Sequence, residues 1–244
     1  MNQVIYWAII DEQGRKEKGV GSGVQRYIFP FFWQSMFSSL TVGDVEKVPS
    51  IRHDFQKSKW EAIARIFVYG FKHCGYVPIC LSPVFLTSCI HGEESLTKDD
   101  LLTSFSYYIT ADEREVMQKC LAGELECNDE DVLDLLSSYK CFRQPTKQNL
   151  KVIFHEIAHQ EMIQKPQYIP KAWGPILNVL KRDGNFSDII SIRNLFQAKR
   201  PTGKKVVKAL CPKINNDSEK QSFEFLKKFI KSLEISSLKV FLRF

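Results

Sequence analysis

Between Ser58 and Gly92 the chain reads SKWEAIARIFVYGFKHCGYVPICLSPVFLTSCIHG, and no other stretch limits the possible folds so tightly. Arg65 is the only charge between Glu61 and Lys72. Ala62, Ile63, Ile66, Phe67, Val68, Tyr69 and Phe71 cover nearly every side of a 3.6-residue spiral, which predicts a helix buried all round. Ser58 and Glu61 have capping-box spacing, and Gly75 followed by Pro78 supplies the stop. A second helix follows, with Ser82 as cap, Pro83 in the first turn and Gly92 past the end. Two consecutive helices this apolar require the rest of the chain as their coat.

The 244 residues suffice for one large domain or two small ones, and 44% hydrophobic with 25% charged residues is a globular composition. The apolar run Val4 to Ile10 is too short for a secretory signal, and nothing approaches the length of a membrane span. Seven cysteines at irregular spacing suit buried reduced thiols, hence an intracellular setting, cytoplasm or nucleus. Charge is uneven: residues 199–244 hold 12 Lys/Arg against 4 Asp/Glu, whereas Glu93 to Asp134 holds 13 acids and 3 bases. Nucleic-acid contact at the basic end would require aromatic side chains interleaved with the bases on an exposed face. Phe225, Phe229 and Ile230 fall instead at core spacing, which weighs against it.

In chain order, Val4 to Ile10 reads as a strand entering a hairpin at Asp11 to Gly14. The glycines of GVGSG, Gly19 to Gly23, lack the third glycine of a dinucleotide loop, where Val24 stands, so the run reads as a flexible connection. Phe29 to Phe37 is an expected helix and Leu40 to Phe55 a loop. Short capped helices follow at Thr97/Asp100, Thr110/Glu113 and Asn128/Asp131, with Gly123 closing the second. Ser187 and Thr202 are further expected caps. The Lys199 to Lys205 run departs from a nucleotide loop at Ala198 and Lys205, which removes groups that cradle phosphate and hold Mg²⁺. Asp217 opens the last long helix, with Phe223, Leu226, Phe229, Ile230 and Leu233 at core spacing. Leu238, Phe241, Leu242 and Phe244 begin another apolar pattern, so a further segment is expected after Phe244.

The helix expected over Lys147 to about Lys165 carries HEIAH. His155 and His159 share a face at i and i+4, as zinc ligands do, and Glu156 is placed to polarise a metal-bound water. The usual third ligand is missing: Lys165 and Met162 occupy the metzincin positions, and Asn178 stands where an aminopeptidase-like glutamate would. Glu161 is too close along the helix, and Asp183 and Asp188 are distant. The metal reading of His155, Glu156 and His159 is therefore set aside in favour of surface histidines on a structural helix. No cofactor is expected.

Several stretches resemble the HECT-type ubiquitin ligases, especially the subgroup named for a ligase of late cell-cycle phases. They are GVGSGVQR with Phe32-Trp33, VEKVPSIRHDF, EAIARIFVYGFKHCGYVPICLSPVFLTSCIHGE, DLLSSYKCFRQPT, IAHQEMIQKPQYI, PTGKKVVK and LKKFIKSLE. The resemblance implies an α+β, predominantly helical HECT N-terminal lobe over residues 1–235, with a large helical subdomain and a smaller docking subdomain near 142–211. It implies that LKVFLRF, within 236–244, enters a C-terminal lobe whose cysteine forms the ubiquitin thioester. The partners implied are a ubiquitin-conjugating enzyme carrying ubiquitin, that missing lobe and an unspecified protein substrate, with no membrane.

No catalytic residue is expected before Phe244. Cys74, Cys80, Cys89, Cys120 and Cys141 sit in or beside apolar helices, and Cys127 and Cys211 are expected to be more exposed without the family's flanking pattern. Trp173, Leu195 and Phe196 are partner-contact candidates because their segments fall in the implied docking subdomain. The rival readings are a catalytically inactive adaptor that binds a conjugating enzyme, and the zinc metalloprotease.

Overall fold

The structure, a computed structural model, describes residues 13–15, 22–234, 237, 238, 241 and 242, and over these the chain is predominantly helical. The expected strand Val4 to Ile10 and the start of the glycine run lie outside the described residues. The chain divides into two compact units, Met1–Leu195 and Phe196–Phe244.

In the first unit, α1 (Ser22–Ser39) leads into a two-stranded antiparallel ladder, β1 (Thr41–Val42) with β2 (Val48–Pro49). Then come α2 (Lys57–Cys74), α3 (Pro83–His91), α4 (Lys98–Tyr108), α5 (Ala111–Ala122), α6 (Glu130–Ser138), α7 (Leu150–His159), α8 (Tyr168–Leu177) and α9 (Ile189–Lys199), the last crossing the division. The helix buried all round is α3, in which Pro83 to Thr87, Cys89 and Ile90 are all buried. α2 is amphipathic instead: Trp60, Ile63, Ala64, Phe67 and Gly70 are buried, while Ala62 and Arg65 face solvent. Hydrophobic composition alone overstated how much of its surface the neighbours cover.

α8 packs on both α2 and α3, and α7 packs on α4. A Cβ on Gly174 would lie 3.1 Å from the Cys89 carbonyl, so this glycine permits the close approach of α8 to α3. Trp173 and Phe85 meet edge to face with centroids 5.5 Å apart, and both side chains are fully buried. On the far side of α2, Trp33 meets Phe67, and Phe186 meets both Phe67 and Phe71. His91 Nε2 donates to the Phe186 carbonyl at 2.6 Å, tying the end of α3 to this cluster.

The helix ends show which local signals survive in the tertiary structure. Gly75 takes the left-handed conformation (φ 59°) and ends α2, with Gly75 N–H bonded to the Phe71 carbonyl and Tyr76 N–H to that of Gly70. Thr97/Asp100 and Thr110/Glu113 form reciprocal capping boxes. Three expected caps shift. α2 begins without the Ser58/Glu61 box, and Glu61 pairs with Lys57 and Arg65. α6 is capped by Asp129 rather than Asn128, and at α9 the Asp188 carboxylate, not Ser187, accepts from the Ser191 N–H. Ser82 does precede α3, but its hydroxyl donates to Glu46 Oε2 at 2.9 Å. At α6 and α9 an adjacent aspartate takes the bond, whereas α2 and α3 begin with no side-chain cap.

Asp100 completes the Thr97 capping box of α4, accepting from the Thr97 N–H, and also accepts from Arg193 Nη1 of α9 at 2.7 Å. Desolvation opposes its ionised form, but hydrogen bonds from Thr97 and the Arg193 guanidinium outweigh that and hold the carboxyl below its ordinary value of 3.8. A depressed folded-state pKa contributes stability that is complete above the unfolded value and lost as pH falls through the folded one. Asp100→Asn should therefore flatten the acid limb of the stability curve below about pH 4, measured as urea midpoint against pH.

The segment 142–211, expected to form a docking subdomain, spans the division between the two units. Its helices α7 and α8 belong to the first unit, and the division comes only at Leu195/Phe196. α7 runs on through a π-helical turn at Gln160–Gln164. There Glu161, 4% exposed, accepts from Lys165 Nζ at 2.5 Å and from the Tyr108 hydroxyl at 3.3 Å. The expected i+6 metal position is thus occupied by the cation that neutralises a buried acid.

The second unit contains α10 (Gly203–Ala209) and α11 (Asp217–Ser232), joined through a small core of Val206, Ile230 and Leu238. Thr202 caps α10 as expected, accepting from Lys205 N–H at 3.2 Å. Lys205 Nζ donates to the carbonyls of Gln197, Ala198 and Arg200, so the lysine of the supposed nucleotide loop closes the end of α9. The expected inward stripe of α11 is not inward: only Ile230 is buried, whereas Phe225, Leu226 and Phe229 are exposed.

Candidate docking surface

α6 buries Val132, Leu135 and Leu136 and leaves Leu133 on its outer face, 43% exposed. The helix ends on no glycine. Lys140 itself adopts φ 59°, with Lys140 N–H bonded to the Ser137 carbonyl at 2.8 Å and Cys141 N–H to that of Leu136 at 2.9 Å. A left-handed lysine costs about 1–2 kcal/mol, which the surrounding structure must offset. Its effect is to turn the chain sharply, so that Cys141 to Pro145 returns along α6.

That returning strap is fixed at both ends. Arg143 is hydrogen-bonded to Glu156 of α7, Pro145 is buried, and Thr146 N–H donates to Asn149 Oδ1 at 2.7 Å. Phe142 is left 83% exposed, the most exposed large apolar side chain among the described residues. Leu133, Leu136, Ser137, Cys141, Phe142 and Pro145 line a groove of about 480 Å³ between strap and helix. Asp134 of α6 also lines it, and Arg143, another lining residue, is already paired with Glu156. The surface thus offers an aromatic anchor, a shallow apolar floor and a carboxylate at its edge, the components of a protein contact.

The partner-contact candidates from the sequence lie elsewhere. Trp173 is fully buried against Phe85, and Leu195 and Phe196 are buried at 9% and 5% exposure. They are packing residues, because the faces that carry them are turned inward. HEIAH serves packing and cross-linking: Leu150, Ile153, Phe154 and Ile157 point into the core. His159 Nε2 donates to Glu93 Oε1 at 2.5 Å, and His155 lies 4.0 Å from Asp99. Desolvation, reinforced by Lys151, lowers the His155 pKa. Among the described residues no three His, Cys, Asp or Glu side chains are grouped to hold a metal ion.

No protein-family model, curated protein or solved structure matches the chain.

Cys89 is buried and desolvation pushes its thiol well above the ordinary value, while burial and the neighbouring Cys127 push Cys120 up to about 11. Cys127, expected to be exposed, is buried; Cys211 is exposed and Cys141 half-buried at the groove. Phe142 was missed in the sequence because no periodicity marks a loop side chain. The available signal was an aromatic between two capped helices, in a run without glycine and followed by Pro145. No helix of the described residues is long and apolar enough to cross a membrane.

Proposed function

We propose that this chain is the docking platform of a HECT-type ubiquitin ligase. In this reading it recruits a ubiquitin-charged conjugating enzyme, and the thioester-forming cysteine belongs to a C-terminal lobe outside these residues. The observation that carries the reading is Phe142, held out over the α6 groove by a strap anchored at Arg143 and Thr146. It begins the segment that the family resemblance assigns to docking. The raised thiols of Cys89 and Cys120 support a platform rather than a nucleophile. Asp134 at the groove and the acidic excess of the stretch Glu93 to Asp134 favour a partner with a basic contact face, recognised first by long-range attraction and then by burial of the phenyl ring.

The test is binding of the purified chain to a panel of ubiquitin-conjugating enzymes. Phe142→Ala together with Leu133→Ala should weaken the bound member at least about 10-fold, as loss of an interface hot spot does, with an unchanged urea midpoint. Failure to bind any member, or equal binding by the double variant, overturns the reading. So does a reducible ubiquitin adduct on one of the chain's own cysteines in the presence of activating and conjugating enzymes.

A further inference from the structure

The strongest unexplained surface lies on the second unit. Residues 196–244 carry 12 Lys/Arg against 4 Asp/Glu, a charge that attracts polyanions. The core spacing of Phe225, Phe229 and Ile230 counted against nucleic acid, but α11 separates them: Ile230 is fully buried, while Phe225 and Phe229 are 61% and 54% exposed. Neither ring belongs to the cluster of Val206, Ile230 and Leu238 that holds α10 to α11. At i and i+4 they lie on one face, about 5–6 Å apart between Cβ atoms.

One cation of α11 stands beside these rings and a second beside the neighbouring Phe223. Lys228 Nζ lies 6.0 Å from the Phe225 centroid, and Lys227 Nζ is 4.5 Å from that of Phe223. The acids are largely committed. Glu219 accepts from the Asn215 N–H at the helix start, and Glu224 pairs with Lys227 at 2.6 Å. Among the described residues Lys227 is the only lysine of α11 in an ion pair, which leaves Lys220, Lys228 and Lys231 to the surface.

We propose that the Phe225/Phe229 face of α11 binds single-stranded nucleic acid, with bases stacked on the two rings, a phosphate held by Lys228 beside them, and the strand attracted by the positive charge of the unit. Exposed aromatic rings beside cations supply both components of sequence-tolerant single-strand binding. A duplex encloses its base faces and would use only the charges. An anionic membrane fits less well. The exposed apolar stripe is limited to Phe225, Leu226 and Phe229, with Ser218, Ser222 and Ser232 interspersed, and the Ile230 side of α11 is already seated on α10. The surface is separate in sequence from the Phe142 groove, so neither proposal depends on the other.

The test is fluorescence anisotropy of the full chain with a labelled oligothymidine of about 20 nucleotides, across a salt series. Binding should weaken linearly in the logarithm of salt, and a duplex of equal length should bind less tightly. Phe225→Ala with Phe229→Ala should lower affinity about 10-fold or more without changing the salt slope, whereas Phe225→Tyr with Phe229→Tyr should retain it. Lys228→Gln should make the slope shallower. Circular dichroism melts show whether each variant is folded, and the Tyr pair keeps the comparison decisive if the Ala pair is not. The proposal is overturned by no single-strand binding at low salt, by unchanged affinity in a folded Ala pair, by loss of affinity in the Tyr pair, or by preferential binding to vesicles of anionic lipid.

Discussion

Trp173→Ala should destabilise the first unit by about 3–5 kcal/mol, the range for deleting a large aromatic side chain from a close-packed core. The side chain sits where α8 meets α2 and α3, fully buried, with its ring edge to face on Phe85. Gly174 brings the two backbones too near for the walls to collapse readily into the space left behind. Trp173→Phe should cost less than half as much. It keeps an aromatic ring on Phe85, and the indole N–H it removes has no hydrogen-bond partner among the described residues. Urea unfolding of the three proteins checks the order. The result also separates core from interface: loss of partner binding by Trp173→Ala must track loss of folded protein, whereas loss by Phe142→Ala must not.

A second large effect is expected from the smallest possible addition, Gly43→Ala. Gly43 follows β1 at φ 107°, and a Cβ there would come 2.3 Å from the Glu46 carbonyl oxygen and 2.7 Å from the Tyr108 ring. Neither can retreat. The turn is pinned to the end of α4 by Asp44 N–H to the Tyr108 carbonyl at 2.8 Å and Val45 N–H to that of Tyr107 at 3.0 Å. Lys47 N–H bonds the Cys80 carbonyl beyond it, and Glu46 accepts from Ser82 at the start of α3. Backbone strain and overpacking together should cost about 2–5 kcal/mol. Hydrogen exchange should show the loss first at Asp44, Val45 and Lys47, whose amides the displaced turn releases.

Much of the helical framework was legible before any coordinates. Thr97, Thr110 and Thr202 act as caps because a short side chain and a backbone N–H three residues away need only each other. Gly75 and Gly123 stop their helices because glycine adopts the left-handed region without steric penalty. The Asn128 and Ser187 caps gave way to an adjacent aspartate, and at Ser58 the glutamate of the expected box pairs with Lys57 and Arg65 instead.

Apolar spacing was less reliable on how completely a face is covered. Phe225 and Phe229 have the spacing of a core stripe and stand in solvent, whereas α3 is enclosed and α2 only half so. Spacing records which side chains share a face; what lies against that face is set by elements distant in sequence. The HEIAH helix makes the same point: His159 bonds Glu93, far away in sequence, while His155 Nε2, 4.0 Å from Asp99, is buried without a hydrogen-bond partner among the described residues.

The sequence by itself determined the helical character, most of the helix ends and the concentration of positive charge near the C-terminus, since each follows from groups within a few residues of one another. Only the tertiary structure decided that Trp173 is core and Phe142 is surface. It also placed Glu161 in the interior with Lys165 as its cation and left Phe225 and Phe229 uncovered. Burial is a property of the contact between segments, and local spacing carries no record of which distant segment arrives.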